Sequence, residues 1–238
     1  SERRRWVACA EKSNEITAIP ELLRLVDIKG AIITIDAMGT QKVIAEQIIE
    51  GEGDYVLAMK GNHETLHQAV IEHLNEQVAN GFGNTTVDRH QTEETAHGRE
   101  ETRSYLQMPV PEDLPGLPLW KGLKSIGRVE SRCIRDEKET VEIRSFISSL
   151  AVGVKLFAHA VRSHWGIENS CHWTLDVTYR EDESRIREKN LRENFAWLNR
   201  LTLSLLKQHP GRESIAMKRR SCGWDENFLL QVLTGSTP

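Results

Sequence analysis

Apolar runs and amphipathic segments alternate over the first third of the chain. Residues 31–36 (AIITID) form an apolar run that ends in a carboxylate, and residues 54–60 (DYVLAMK) form a second run of this kind. A run that is apolar on both faces is typical of a buried strand. Residues 40–50 place apolar side chains at helical spacing between the two runs. The pattern predicts a βαβ unit with parallel strands and a right-handed crossover.

The periodicity changes twice along the rest of the chain. Residues 85–147 favour short strands, which predicts a β-rich segment, and from residue 154 the spacing is helical. The predicted strands are 85–90, 99–107, 125–135 and 139–147, with a hairpin at 136–138, and the predicted helices are 17–26, 64–80, 154–162, 164–176, 188–208 and a short 227–233.

One helical stripe consists of side chains that are unusual for a core. His164, Glu168, His172 and Asp176 recur every four residues within the stretch RSHWGIENSCHWTLDVTYREDESRIR at 162–187. This spacing places all four on one face of an α-helix. Imidazoles and carboxylates are costly to bury unless they are paired or bind a metal. The stripe is therefore either a solvated polar face or part of a functional site.

Composition and charge narrow the class of protein. The 238 residues are 39% hydrophobic and 28% charged, which is typical of a globular protein. The net charge of −4 hides an asymmetry, because residues 1–154 hold 18 Lys and Arg against 25 Asp and Glu, whereas residues 155–220 hold 13 against 8. The basic half contains the stripe, which indicates an anionic partner. The overall negative charge argues against a protein that coats nucleic acid nonspecifically.

The cysteines and the hydropathy predict the compartment. Four scattered cysteines without a CxxC pair indicate a reducing cytosol rather than a zinc ribbon or a redox motif. The sequence shows no apolar run long enough to span a membrane and no signal peptide. We therefore expect a cytoplasmic protein with no membrane partner.

Two acidic residues stand where a cation site would need them. Asp36 lies where a parallel strand ends, the edge at which ligands and ions gather in open α/β sheets, although Asp is also a common turn residue. A strand-end Asp36 and a helical Glu168 can together bind a hard divalent cation. Lys60 and Asn62 follow the second strand, and we expect them near the same edge, contacting either solvent or a DNA phosphate.

A zinc motif competes with this interpretation. His63 to His67 reads HETLH and matches the HExxH pattern of zinc metallopeptidases. The extended pattern requires Gly at position 70, where this chain has Val70. On an unbroken helix His73 would point away from the other two imidazoles, so we expect no zinc site here.

The arginines of the β-rich segment occur in a repeated sequence pattern. Gly-Arg followed by alternating charges occurs at 98–103 and at 127–132. Solvent-exposed faces or cross-strand ion pairs are the favoured interpretation, and contact with a phosphate backbone is the alternative. A further basic cluster at 218–220 is expected to be a solvated turn. The arginines concerned are Arg99, Arg103, Arg128 and Arg132.

Five long blocks of the sequence are distinctive. They are KSNEITAIPELL (12–23), GAIITIDAMGTQK (30–42), DYVLAMKGN (54–62), SIGRVESR (125–132) and the stretch at 162–187. Together they resemble bacterial insertion-sequence transposases of the H-repeat-associated type, which belong to the DDE superfamily. The resemblance implies an α/β, RNase-H-like mixed sheet flanked by helices, with a β-rich insertion before the helix that carries the catalytic glutamate. The implied domains are a first part of the core (12–84), the insertion (85–147), a helical second part of the core (148–210) and a tail (211–238).

The resemblance also implies a reaction, which is the cleavage and transfer of DNA strands with two Mg²⁺ ions, for which Mn²⁺ can substitute. Asp36 matches the second aspartate of the family and Glu168 its glutamate, and both would bind metal. The expected partners are the insertion-sequence ends and target DNA, in the nucleoid of a bacterial cytoplasm, and a homodimer remains open. The residues expected to support the site or to bind DNA are Arg162, His164, His172, Asp176, Lys60 and Asn62.

The chain also departs from the family pattern. The first catalytic aspartate of the family lies upstream of the 12–23 block, and residues 1–11 contain no Asp. We therefore expect a copy that neither transposes nor cleaves DNA, with a non-catalytic DNA-binding remnant as the alternative. The strands that should pair beside residues 31–36 are missing too, which predicts an open sheet edge and a marginal fold. His164 and Leu175 stand where wider relatives carry Arg and Lys.

Overall fold

A six-stranded mixed sheet is the centre of the first part of the chain. The computed structural model describes residues 15–83, 85–96, 99–136 and 138–235. They fall into two units, one ending at residue 162 and one beginning at residue 163. The strands, all in the first unit, are β1 (Ile32–Ile35), β2 (Asp54–Met59), β3 (Asp88–Ala96), β4 (Arg99–Pro109), β5 (Ser125–Arg135) and β6 (Lys138–Ser148).

The helices follow the predicted order with two differences in the second half of the chain. The bounds are α1 (Glu15–Leu25), α2 (Lys42–Glu50), α3 (Glu64–Ala79), α4 (Val154–Ile167), a π-helical turn (Glu168–His172), α5 (Trp173–Val177), α6 (Lys189–Gln208), α7 (Ile215–Trp224) and α8 (Glu226–Thr234). The predicted break between residues 162 and 164 is wrong because α4 runs through it. The helix α7 was not predicted, since its sequence has little amphipathic pattern.

The strand order is β1-β2-β6-β5-β4-β3, and β1 is at one end of it. The parallel pairing of β1 with β2 confirms the βαβ prediction. β2 then pairs antiparallel with β6, which brings residues about ninety positions apart into register, from Val56 opposite Ser148 to Met59 opposite Ser145. The four strands of the β-rich segment therefore continue the sheet that β1 and β2 begin. The result is an α/β mixed sheet with helices, consistent with the expected RNase-H-like fold.

The two faces of the sheet are covered by different helices. On one face Phe157 of α4 contacts Phe146, with ring centroids 5.6 Å apart in an edge arrangement. Phe157 also lies on Gly127, where an added Cβ would come within 2.5 Å of its ring, so only glycine fits there. We call this the α4 face. The opposite face, called the α3 face, packs buried residues of α3 such as Leu74 against Ile126 and other strand side chains.

A buried hydrogen-bond network fixes the start of α4. Gln107 is fully buried in β4, and its Oε1 accepts from the main-chain nitrogen of Gly153 at 2.8 Å. Its Nε2 donates to Oγ of Ser125 at 2.8 Å, and Ser125 in turn donates to the carbonyl of Leu150 at 2.7 Å. The Asp88 carboxylate accepts from the nitrogen of Val154 at 3.0 Å, at the first residue of α4. Because a buried donor without a partner is costly, this network holds α4 in one position.

The second unit has a small core and an unusual turn. Its buried cluster contains Cys171, Leu175 and Leu203. The π-helical turn over residues 168–172 interrupts the predicted stripe, since i→i+5 bonding alters the rotation per residue. The prediction that residues 164–176 form one regular helix is therefore wrong.

The basic cluster at 218–220 is helical rather than a solvated turn. Lys218 is buried, and its ammonium donates to the carbonyl of His209 at 2.7 Å and to that of Leu206 at 3.3 Å. These carbonyls lie at the end of α6, where a helix needs donors and favours positive charge. The prediction of a solvated turn is wrong for Lys218, because it rested on the charge of the cluster alone and the end of α6 supplies acceptors for the ammonium.

Candidate active site

Asp36 lies directly after β1, at the edge where β1 and β2 both end, which we call the carboxyl edge. Its side chain is exposed, and Oδ1 accepts a hydrogen bond of 3.1 Å from the main-chain nitrogen of Gly39. One accepted bond leaves most of the acceptor capacity of a carboxylate available. The sequence prediction that Asp36 follows a parallel strand is confirmed.

Four further hydrogen bonds hold the turn that follows Asp36. Thr40 is fully buried, and its Oγ1 lies 2.7 Å from the carbonyl of Ala58 and 3.0 Å from that of Asp36. The imidazole Nε2 of His63 lies 2.6 Å from the carbonyl of Thr40 and therefore donates to it. Asn62 donates its amide to the carbonyl of Ala37 at 2.5 Å. The segment after β2 thus fixes the Asp36 turn, a role for His63 that the sequence did not reveal.

Lys60 and Asn62 lie near the carboxyl edge as predicted. Lys60 is exposed and follows Met59, the last residue of β2. Asn62 is part of the short 3₁₀ turn Gly61–His63 that leads into α3. Its contact with Ala37 shows that it supports the main chain beside Asp36. Binding of either side chain to DNA stays a prediction.

Arg162 belongs to a network of ion pairs on the α4 face. Its guanidinium lies 2.7 Å from the carboxylate of Glu94 in β3. The same carboxylate lies 3.3 Å from the buried Arg103, which also pairs with the buried Glu101. This ion-pair network joins α4 to β3 and β4, and Arg162 pairs with the Glu94 carboxylate while remaining partly exposed.

The remaining predicted site residues are in the second unit. His164 is half-buried near the end of α4, whereas His172 and Asp176 are exposed. Glu168 begins the π-helical turn, and its side chain lies outside the described part of the structure. The convergence of the Asp36 and Glu168 carboxylates therefore stays a prediction.

The HExxH motif is not arranged as it is in a zinc peptidase. His63 has a non-helical backbone just before α3, and its Nε2 contacts the Thr40 carbonyl. Its ring also packs edge-on against Trp120, with centroids 5.2 Å apart. Burial lowers the pKa of His67, one turn into the helix. Within the described residues, no three His, Cys, Asp or Glu side chains lie together as a metal cluster. The absence of a zinc site stays a prediction.

The strand arginines form ion pairs, but most of these pairs lie within one strand rather than across two strands. Arg128 lies 3.2 Å from Glu130, and Arg132 lies 2.6 Å from Glu139 across the β5–β6 hairpin. Arg99 and Arg103 both contact Glu101 on their own strand. Most of these pairs are at least partly exposed and are worth little individually, about 0–1 kcal/mol.

The sequence matches the transposase DDE domain family over residues 5–205. The chain belongs to the DDE transposase family. Proteins of this family generally use divalent metal ions. An exposed carboxylate at the carboxyl edge, on a turn held by five hydrogen bonds, is a suitable position for one ligand of such an ion.

Several curated proteins are similar to this DDE transposase chain. It is 41% identical over 232 residues to the H repeat-associated putative transposase YhhI of Escherichia coli K12, a match that covers 95% of the chain and 61% of the relative. It is also 41% identical over 232 residues to the putative protein YbfL of the same strain, with the same coverage. The putative transposase YncI of E. coli O157:H7 is 43% identical over 227 residues, covering 93% of the chain and 57% of YncI. The chain thus spans about three fifths of the length of these relatives.

The described part of this transposase contains no helix that is both long and apolar enough to cross a lipid bilayer.

Proposed function

We propose that this chain is a catalytic segment of an insertion-sequence transposase, an enzyme that cleaves and transfers DNA strands with Mg²⁺, and that Asp36 and Glu168 supply two of the acids that hold the metal. The observation that carries the proposal is the position of Asp36, exposed at the carboxyl edge on a turn that the Asn62, His63 and Thr40 bonds hold in place. Preorganised ligands are what a metal-assisted reaction requires of the protein.

The residues present fit a hard divalent cation in part. Mg²⁺ prefers carboxylate oxygens and keeps several waters, so one or two protein carboxylates suffice. Asp36 supplies one, and the resemblance to the family supplies Glu168 as the second. When bound, the ions would activate water or a 3′-hydroxyl and stabilise the leaving oxygen of a phosphodiester. The task of Asp36 itself is to hold a carboxylate in one orientation, which the Gly39 N–H enforces.

DNA is the proposed substrate, in the form of the element's ends and its target. Lys60 is exposed beside the carboxyl edge and is suited to contact a phosphate. The excess of positive charge over residues 155–220 supports the same partner.

The metal site can be tested without requiring strand cleavage. Mn²⁺ is titrated into the labelled chain, and paramagnetic broadening of amide signals is followed by NMR. We expect the strongest broadening at Ala37 and Gly39, its loss in Asp36→Asn, and weaker binding in Glu168→Gln. Asp27→Asn is the matched control, because Asp27 is exposed and accepts a main-chain bond of 3.2 Å at the other end of β1.

Cleavage is measured on DNA that carries the element's ends, with Mg²⁺ or Mn²⁺. We expect no cleavage by the chain as given. Metal-dependent cleavage that disappears in Asp36→Asn and Glu168→Gln but persists in Asp27→Asn would overturn that expectation and would support both residues as metal ligands. Broadening that Asp36→Asn leaves unchanged would refute the metal site. DNA binding without metal binding would identify a non-catalytic remnant.

A further inference from the structure

A cleft of about 490 Å³ lies on the α3 face of the sheet, away from the carboxyl edge. Arg89, Leu106 and Arg128 form its floor, and they occupy one rung across the neighbouring strands β3, β4 and β5. Val78 and Phe82, at the end of α3 and just after it, form a wall. Asp36 follows β1, at the opposite end of the strand order, so the cleft is a separate site.

Arg89 is fixed in place, yet its hydrogen-bonding groups are available. Its guanidinium carbon lies 3.9 Å from the centroid of the Phe82 ring, which is a cation–π contact. In the part of the chain that the structure describes, no hydrogen bond or ion pair is made by its N–H groups. Most exposed arginines are simply solvated, whereas Arg89 lies over an aromatic ring in the lining of a cleft. A guanidinium is always charged and donates in a rigid fork that matches phosphate oxygens.

Arg128 is oriented from the other side of the cleft. Its NH1 donates to Oδ1 of Asn75 in α3 at 3.1 Å, and its NH2 donates to Glu130 at 3.2 Å. Two strand spacings separate it from Arg89, which amounts to about 10 Å between main chains. Both side chains line the same cleft, and arginine side chains are long enough for one ligand to contact both across the intervening Leu106.

The lining identifies the chemistry of the ligand. Leu106, Val78 and Phe82 supply an apolar surface beside the two guanidinium groups, and Gln91 and Ser104 supply exposed polar groups. The Glu130 carboxylate, which also lines the cleft, is paired with Arg128. An anion alone would leave this apolar surface unused, and an apolar molecule alone would leave Arg89 without a partner. A phosphate ester with a planar, weakly polar body satisfies both, and a nucleotide unit has that composition.

We propose that the Arg89–Arg128 cleft binds the phosphate of a nucleotide unit, with the base lying against Leu106 and Val78. The unit can come from a free nucleotide or from a single strand of nucleic acid, since both present the same groups. The proposal does not depend on metal binding or strand cleavage at Asp36.

The test is a calorimetric titration of the full chain at low salt with EDTA. The probes are 2′-deoxyadenosine 5′-monophosphate, deoxyadenosine, and a single-stranded tetranucleotide. We expect the monophosphate to bind more tightly than the nucleoside, and Arg89→Ala to weaken its binding about tenfold or more, because a charge-assisted contact is lost. Arg89→Lys should recover only part of the affinity, since it keeps the charge but loses the fork.

Two controls separate the cleft from general charge effects. Arg24→Ala removes an exposed arginine of α1, far from the cleft in sequence and absent from its lining, and should bind as the wild type does. Phe82→Leu should weaken binding about two- to fivefold by releasing Arg89. Stronger binding of the tetranucleotide than of the monophosphate would identify a nucleic acid strand as the source, and equal binding a free nucleotide.

Three results would overturn the proposal. They are wild-type affinity in Arg89→Ala, equal affinity for nucleoside and monophosphate, and no measurable binding of any probe at millimolar concentration. Each is independent of the Mn²⁺ experiment at Asp36, so either site can fail without the other.

Discussion

The side-chain amide of Asn62 donates a hydrogen bond of 2.5 Å to the main-chain carbonyl of Ala37. This bond joins the segment after β2 to the residue that directly follows Asp36. The two residues are separated by a helix and a strand in the sequence, yet parallel pairing of β1 with β2 brings the segments after them to one edge. The position of the Asp36 carboxylate is thus set partly by a residue that does not contact it.

Replacing Asn62 by Ala should loosen the Asp36 turn without unfolding the protein. The lost bond lies at an exposed position and is worth about 0.5–1.5 kcal/mol. Hydrogen exchange of the amides at 37–40 should accelerate, with the remaining sheet unchanged. Gln68→Ala, which removes an exposed amide bonded to Glu72 within α3, is the control. Equal protection of the turn in both variants would contradict this role for Asn62.

The carboxyl edge was predictable because its signals are local. An apolar run ending in Asp36, a short amphipathic helix and a second apolar run ending near Lys60 determine a parallel pair, and with it the edge where both strands end. The bond between His63 and Thr40 was not predictable, because it joins positions 23 residues apart and its only sequence signal was an imidazole in a misleading HExxH match.

Other parts of the fold depend on long-range pairing that the residues do not encode locally. The β-rich segment was expected as an insertion, and nothing in its alternation indicated that β6 would align beside β2. The sequence alone predicts a surface charge at Lys218. Its burial could not be predicted, because the carbonyls of Leu206 and His209 that accept from its ammonium are brought beside it only by the fold. The regular four-residue spacing of the histidine stripe likewise concealed the π-helical turn.

Replacing Gln107 by Leu should destabilise the first unit and the start of α4. The change leaves the buried Gly153 nitrogen without an acceptor, at about 1–3 kcal/mol, and it removes the donor to the Ser125 hydroxyl, which keeps its bond to the Leu150 carbonyl. Urea unfolding followed by circular dichroism measures the loss. Ser104→Ala, at an exposed position of the same strand, should change stability by less than about 0.5 kcal/mol. A Gln107→Leu variant as stable as Ser104→Ala would show that the network is not important.

The stability of the protein should fall at alkaline pH because of Tyr55. Burial raises the pKa of this phenol well above its ordinary value of 10.0, and the neighbouring Asp54 carboxylate raises it further. Between the unfolded and folded pKa values only the unfolded chain ionises, so the free energy of unfolding decreases with rising pH. The slope reaches about 1.4 kcal/mol per pH unit above pH 10.

Tyr55→Phe should remove that slope. At neutral pH it loses only the hydrogen bond of 3.2 Å to the Lys121 carbonyl, which costs about 1 kcal/mol. Chemical unfolding from pH 8 to 11 makes the comparison. A variant that retains the full alkaline loss would assign the effect to other groups.

The HExxH segment should bind no stoichiometric zinc. His63 donates its Nε2 to Thr40, so using that nitrogen as a ligand would break the support of the Asp36 turn. Elemental analysis of the purified chain should give zinc well below one ion per molecule. Stoichiometric zinc that disappears in His67→Ala would overturn this expectation, and His73→Ala is the control for loosely bound metal.

The π-helical turn at 168–172 has a genetic consequence. A wide turn holds one residue more than the α-helical path it replaces, so losing a single codon there would restore regular helix on both sides. Every residue beyond the deletion would keep its helical face, because the residue lost is the one that the wide turn accommodates. A chain with the deletion would therefore carry the same side chains on the same face as His164, under numbers lower by one. An alignment that forbids a single gap across residues 168–172 would misassign the acidic residues that follow the turn.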